Sequence, residues 1–319
     1  MRARALLVAL AGAVGLLLSA CGGQLAPDTN KGMRIGFVPK ALNQEYWVNT
    51  RHGAEAGGRS AHAKVVTLAA QSDTHIAEQI DIVENLLAQK VDALVIAPND
   101  SDLLQPVLEK AAKQIPVVLF DSPIPGWKPQ TAYVGTANKA GGVAMGRYLK
   151  KIVGKGTLAI IRGIPGSQVD SDRVDGVKQG VRGSGIRVVK EVAANFDRQQ
   201  AVGAMEDILQ TNPKVSAVFC ANDQMALGAL QTLAARHLTG KIKLVGFDGA
   251  LEATEAIIGK QMYATVAQDP YGMAQIGIEE AARAVKHERE KRNVNTGNPL
   301  VTQQNAKAYL GKVEKKLGG

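Results

Sequence analysis

Three of the five phenylalanines stand directly before an aspartate, at Phe120-Asp121, Phe196-Asp197 and Phe247-Asp248. An aromatic ring offers a flat apolar face to the C–H surface of a sugar or polyol, and a carboxylate beside it accepts hydrogen bonds from the hydroxyl edge. The first and last pairs each close an apolar run that reads as a strand, Val117–Phe120 and Lys243–Phe247. In open α/β sheets ligands sit beyond the carboxyl ends of the strands, so repeated pairs at that place point to a carbohydrate-like ligand. The competing reading is that each aspartate only N-caps the helix after it. In a chain with 4% aromatic residues, three such pairs favour the first reading.

Other chemistries lack their residues. Gly154-Lys155-Gly156-Thr157 has the end of a phosphate loop without its first glycine, and it precedes a strand instead of following one. No G-x-G-x-x-G follows the first strand, and there is no G-x-S-x-G. His52, His62, His75, His237 and His287 show no metal-ligand spacing and read as solvated helix or turn residues. The expectation is a binding protein, not an enzyme, with no cofactor and no metal.

The elements that must hold the aromatic-carboxylate pairs follow a βαβ rhythm. Arg34–Val38, Lys64–Leu68, Ala93–Ala97 and Val117–Phe120 read as strands, with helices over Tyr46–Ala61, His75–Gln89 and Leu103–Lys113 between them. A second series has strands near Thr157–Arg162, Ile186–Ala193, Ala217–Cys220, Lys243–Phe247 and Ala264–Gln268. Its helices lie near Ala140–Val153, Ser171–Val181, Gln199–Gln210, Gln224–Arg236 and Leu251–Ile258. Two series imply two doubly wound parallel-sheet lobes. The Pro/Gly-rich stretch Pro123–Pro129 and a short strand at Tyr133–Val134 separate them, which puts the first crossing near Gly135–Asn138. The helical segment Gly272–Lys286 is expected to pack back on the first lobe.

The amino terminus has the layout of an export signal. Arg2 and Arg4 precede the uncharged stretch Ala5 to Ala20, and Leu18-Ser19-Ala20-Cys21 matches the lipobox of bacterial lipoproteins. Cys21 is therefore the expected lipidation site. Gly22 to Lys31 reads as a flexible tether, and no later run is long and apolar enough for a transmembrane helix. The other cysteine, Cys220, lies in the apolar run Val218-Phe219-Cys220 and reads as a small core residue. The formal charge of +9 falls to +7 once Arg2 and Arg4 leave with the leader. The excess is local, at Lys286 to Arg292 and Lys307 to Lys316, and fits solubility and an anionic envelope. No nucleic-acid motif accompanies it, so no nucleic-acid partner is expected.

The run Ala217-Val218-Phe219-Cys220-Ala221-Asn222-Asp223-Gln224-Met225-Ala226-Leu227-Gly228-Ala229-Leu230, followed by Val245-Gly246-Phe247-Asp248-Gly249, resembles the ribose-type periplasmic sugar-binding proteins. These are the type I receptors of bacterial ABC importers. Ala97-Pro98-Asn99-Asp100 and Leu119-Phe120-Asp121 add to the match, which runs from Met33 to about Thr302. Lactose-repressor relatives share this core but begin with a helix-turn-helix, where this chain has a signal peptide. The resemblance implies an N-terminal lobe of residues 33–136 plus 269–296 and a C-terminal lobe of 137–268 plus 297–304. Before them stand a leader over 1–20 and a tether over 21–32, and a basic tail over 305–319 follows.

By the same resemblance Tyr46 and Trp47 form one aromatic wall and Phe196 and Phe247 the facing one. Asp121 and Asp248 accept from ligand hydroxyls, Arg173 donates, and Asn222 and Gln268 do both. Arg173 has the alternative of a surface ion pair with Asp170, and Asn222 that of a helix cap. Ribose receptors carry Asn where Gln44 stands and Arg where Ser122 stands, so a forked donor is missing. Lys40 either replaces part of it or is a solvated strand-end residue. Val38-Pro39-Lys40 also resembles the autoinducer-2 receptors of the superfamily. The implied function is a lipid-anchored, exported solute-binding protein that closes its hinge on a monosaccharide or sugar alcohol and presents it to ABC permease subunits. The alternatives are a sensing subunit for a chemoreceptor or sensor kinase, or a receptor for an autoinducer-2-like furanose.

Overall fold

The computed structural model describes residues 32–318, so the leader, Cys21 and most of the tether lie outside the described residues. The chain runs β1 (Arg34–Val38), α1 (Glu45–Ala61), β2 (Lys64–Thr67), α2 (Ile76–Ala88), β3 (Ala93–Ile96), α3 (Ser101–Ala112), β4 (Val117–Phe120) and β5 (Ala132–Gly135). It continues through α4 (Asn138–Val153), β6 (Lys155–Arg162), α5 (Gln168–Gly180), β7 (Gly185–Ala193), α6 (Arg198–Thr211), β8 (Ala217–Cys220) and α7 (Asp223–Ala235). Last come β9 (Lys243–Asp248), α8 (Leu251–Ile258), β10 (Ala264–Ala267), α9 (Pro270–Val285), β11 (Asn293–Asn295), β12 (Leu300–Thr302) and α10 (Ala306–Gly318).

These strands make two six-stranded sheets, ordered β11-β5-β4-β3-β1-β2 and β12-β10-β9-β8-β6-β7. Every pairing is parallel except that of β12 with β10. Parallel strands need crossover helices, which cover both faces, so the central strands read as unbroken apolar runs. β3 (ALVI), β4 (VVLF) and β8 (AVFC) are buried at every position, and Cys220 is one of those buried residues.

The chain passes from the first sheet to the second between Gly135 and Asn138. It returns after β10, and α9 packs on α1 and on β3, β4 and β5 of the first sheet. It crosses again between β11 and β12. The α1–α9 seam is tight enough to require glycine: a Cβ on Gly53 would strike the backbone carbonyl of Tyr271. Facing glycines allow the same close approach of α4 and α5, where Gly142 meets Gly176.

The segment expected as a basic C-terminal tail is instead the helix α10, packed on α8 and β12. Its lysines mask an apolar stripe at i, i+3, i+4 and i+7: Ala306 is fully buried, and Tyr309, Leu310 and Val313 are half-buried. Tyr309 Oη donates to the Gly249 carbonyl at 3.0 Å, and Lys316 Nζ reaches both Asp269 oxygens at 2.6 Å. No helix among the described residues is long and apolar enough to cross a membrane.

Candidate functional site

A cavity lies where the carboxyl ends of strands from both sheets converge. Lys40 follows β1, Asp73 follows β2, Asp121 follows β4, and Gln44, Tyr46 and Trp47 lie at the start of α1. From the second sheet Phe196 follows β7, Asn222 follows β8, Asp248 ends β9 and Gln268 follows β10, with Val169 and Arg173 on α5. A neighbouring cavity shares Tyr46, Asp248 and Gln268, but Leu251, Pro270, Tyr271, Tyr309 and Val313 also wall it.

The aromatic-carboxylate pairs sit on unusual backbone. Asp121 has φ 59°, Phe196 φ 59° and Asp248 φ 128°, a region that costs a non-glycine residue on the order of 1–3 kcal/mol. These residues lie just after β4, three residues past β7 and at the end of β9, respectively. At the first pair Phe120 stays in the core, stacked on Phe37 with centroids 4.9 Å apart, while Asp121 lines the cavity. At the second the roles reverse: Phe196 lines the cavity, and Asp197 caps α6 by accepting from Gln200 N at 2.7 Å. So the capping reading describes Asp197 alone of the three aspartates.

The third pair corrects one expectation. Phe247, expected on the aromatic wall, is fully buried and does not line the cavity. The Arg173 guanidinium lies over its ring, 4.0 Å from the centroid, so Phe247 holds the arginine in place from beneath. Arg173 is itself 3% exposed and makes no surface pair with Asp170, which bonds Arg162 and Gly163 N instead. Its Nε donates to Asn138 Oδ1 at 2.9 Å, and its Nη1 donates to the Ala221 carbonyl at 2.7 Å and to Asp248 Oδ1 at 3.2 Å. Gln268 Nε2 donates to the same Asp248 oxygen at 2.7 Å.

Burial raises the Asp248 pKa to about 6, against the opposing pull of Arg173 and Gln268. Asp223, fully enclosed and beside Asp248, is pushed well above the carboxylate range by burial and then by that neighbouring charge. It accepts from Thr265 Oγ1 and from Ala250 N, which ties the start of α7 to the loop after β9. Asn222 lines the cavity and also caps a helix: Oδ1 accepts from Met225 N of α7 at 2.9 Å, and Nδ2 donates to the Phe196 carbonyl at 3.2 Å.

On the opposite wall Tyr46 and Trp47 meet edge to face, with centroids 4.9 Å apart and planes at 86°. Tyr46 Oη donates to Asp121 Oδ1 at 2.6 Å, and burial, then the Asp121 charge, holds the phenol well above its usual range, so it stays a donor. Ser122 does not line the cavity, and its Oγ donates to Asp121 Oδ2 at 2.7 Å. Lys40 is 4% exposed and lines the cavity, so the solvated reading of this residue does not hold. Gln44 lines the cavity beside it.

Sequence reasoning missed Asp73 and Val169 at the cavity and Asn138 behind Arg173. Asp73 stands in a polar loop with no aromatic neighbour in sequence, and Val169 looks like any other core valine of α5. Neither offers a local signal.

Residues 35–289 match the profile of a family described as a periplasmic binding protein domain. The ribose import binding protein of Bacillus subtilis is 33% identical over 298 residues, spanning 90% of this chain and 95% of its own length. An ABC transporter periplasmic solute-binding protein from Actinobacillus succinogenes, solved with bound D-allose, superposes with a TM-score of 0.81 at 30% identity, covering 87% of this chain and all of that one. A carbohydrate transporter solute-binding protein from Agrobacterium radiobacter, in complex with D-arabinose, gives 0.83 at 31% identity, covering 90% of this chain and 99% of that one.

Proposed function

The chain belongs to the periplasmic binding protein domain family, and from that membership we propose that it is a solute-binding lipoprotein that captures a monosaccharide or sugar alcohol for an ABC importer. The observation that carries this reading is the composition of one cavity: rings of Tyr46, Trp47 and Phe196 around the carboxylates of Asp121 and Asp248, with Arg173 and Gln268 as donors. Apolar rings exclude water from the C–H faces of a sugar, and fixed donors and acceptors read its hydroxyls. The names of its relatives, which bind ribose, allose and arabinose, support the same class.

Ligand groups contacted from both sheets favour the closed arrangement, because contacts from two lobes form together only when the hinge is shut. The three crossings between the sheets are the hinge in this reading. The closed lobes then present a composite surface to the permease, and a diacylated Cys21 keeps the protein at the outer face of the cytoplasmic membrane or in the periplasm.

A thermal-shift screen of residues 32–319 against aldoses, ketoses and alditols tests the proposal. A ligand at 100 times its Kd stabilises the folded state by about 2.7 kcal/mol, which is a shift of several degrees. A hit should also compact the protein in solution scattering. A screen in which no sugar or alditol raises the midpoint refutes the assignment.

A further inference from the structure

All six strands of the first sheet are parallel, so their amino ends share one edge, opposite the edge that carries the cavity. Each helix-to-strand junction at that amino edge carries exposed cations. Lys64 opens β2, Lys90 follows α2, Lys113 follows α3, and Lys286, Arg289, Lys291 and Arg292 lie between α9 and β11. None of these seven forms an ion pair among the described residues. The carboxylates in the same junctions are Asp92, Glu288 and Glu290, and Asp92 is occupied by the Arg34 backbone N–H at 2.7 Å.

Part of this charge has a structural explanation. Lys90, Lys113 and Lys286 stand at helix carboxyl ends, where cations complement the helix dipole. That explanation does not extend to Arg289, Lys291 and Arg292, which stand four to seven residues beyond the end of α9. Their loop is nonetheless fixed: Glu280, 2% exposed on α9, accepts from Lys291 N at 2.7 Å, and the Arg292 carbonyl accepts from Tyr133 N of β5 at 2.8 Å. With Arg283 of α9 the three cations ring one surface pocket, whose remaining wall is Glu290. Like charges gathered at one pocket repel one another, and an anionic group between them turns that repulsion into attraction.

The chain enters the lobe at the same edge. The Met33 carbonyl accepts from Lys64 N at 2.7 Å, and Arg34 Nη1 donates to the Gln89 carbonyl at 2.8 Å. Met33 comes twelve residues after Cys21, a stretch that spans at most about 43 Å. In the lipoprotein reading proposed above, on which this inference rests, the acyl chains at Cys21 lie in the bilayer, and this edge is the part of the protein leashed nearest to it.

We infer that the loop Lys286–Arg292, with the lysines beside it, is a membrane-contacting surface that takes the phosphate headgroups of anionic phospholipids. The acyl chains retain the protein, while the basic edge decides which face meets the bilayer and leaves the cavity at the far edge open to solvent. Contact of this kind is released by salt, unlike an acyl anchor, because it fades within a Debye length of about 8 Å at physiological ionic strength.

The test separates headgroup contact from the anchor by using the compact unit Met33–Gly319, which lacks the leader and Cys21. It is sedimented with vesicles of phosphatidylcholine alone and of equal parts phosphatidylcholine and phosphatidylglycerol. Binding should be confined to the anionic vesicles and should vanish in about 1 M salt, where the Debye length is about 3 Å. The triple variant Arg289→Gln, Lys291→Gln, Arg292→Gln should bind roughly a hundredfold more weakly, since each basic residue near an anionic surface contributes about fivefold. The triple variant Lys307→Gln, Lys312→Gln, Lys315→Gln removes the same charge from exposed positions of α10 and should change binding by less than about threefold. If circular dichroism shows the loop variant misfolded, Lys64→Gln, Lys90→Gln, Lys113→Gln takes its place, with at least a tenfold loss expected. No binding to anionic vesicles, or an equal loss from the α10 variant, overturns the surface. A loop variant that binds vesicles like wild type but is no longer captured by permease subunits assigns the edge to a protein partner and overturns it as well. Each of these failures leaves the sugar-binding and lipid-anchoring readings standing, since neither the cavity nor Cys21 takes part.

Discussion

Replacing Arg173 by alanine should cost both stability and binding, because the side chain is built into the second lobe as well as facing the cavity. The side chain holds three hydrogen bonds, to Asn138, Ala221 and Asp248, and lies over the Phe247 ring. Its partner Asp248 has a side chain only 11% exposed, so removal leaves a carboxylate in a site with little water to replace the lost charge. Breaking a buried pair in this way costs about 3–5 kcal/mol of stability. If Arg173 also bonds the ligand, truncating it costs a further 2–5 kcal/mol of binding, or roughly thirtyfold to a few thousandfold in Kd. Titration of Arg173→Ala with the ligand found by screening, beside its thermal midpoint, measures both losses. Asp197→Ala is the control: it removes an N-cap worth about 1 kcal/mol and touches nothing in the cavity, so stability falls slightly and Kd stays put. An Arg173→Ala protein that folds and binds within threefold of wild type, or an Asp197→Ala protein that no longer binds, would refute the assignment.

Acidification should weaken ligand binding and stabilise the unliganded protein. With its pKa near 6, Asp248 takes up a proton in the folded state between about pH 6 and the ordinary carboxylate range, where the unfolded chain remains ionised. The folded state then binds more protons than the unfolded one, so this group's contribution to stability grows as pH falls through that window and is lost as pH rises through 6. Ligand hydroxyls favour the ionised form, so Kd should be flat above pH 6 and rise by up to about tenfold per unit below it. Titrations from pH 7.5 to 5 check this, and a Kd unchanged across that range contradicts it. Cys21→Ser should move the full-length protein from the detergent phase to the aqueous phase, and retention of the variant in membranes refutes lipid anchoring through that residue. Gly53→Ala should destabilise the protein by about 1–3 kcal/mol, because the new Cβ meets the Tyr271 carbonyl across the α1–α9 seam. Urea denaturation reads the change, and an unaltered midpoint would show that the seam yields freely.

The alternation of short β-branched runs with amphipathic segments identified β1 to β10 to within two residues, because parallel strands buried on both faces leave an apolar signature that needs no tertiary context, whereas the three-residue edge strands β11 and β12 were missed. Sequence also pointed to residues at the carboxyl ends of those strands, since topology alone puts ligands there. Asp121, Phe196, Asn222, Asp248 and Gln268 line one cavity for that reason, although nearly 150 residues separate the first from the last. What sequence could not decide is the direction each side chain takes at a strand's last residue. Phe120 and Phe247 turn inward while Phe196 turns to the cavity, and the difference lies in positive φ at Asp121, Phe196 and Asp248, a backbone choice with no compositional mark. The C-terminal lysines hid a docked helix because charge dominates a sparse apolar stripe until a groove exists to receive it. Asp73 gave no local signal at all. Its loop is polar like any surface loop, and only the approach of β1, α1 and the loop after β2 encloses the carboxylate at the cavity and leaves its Oδ1 without a hydrogen-bond partner.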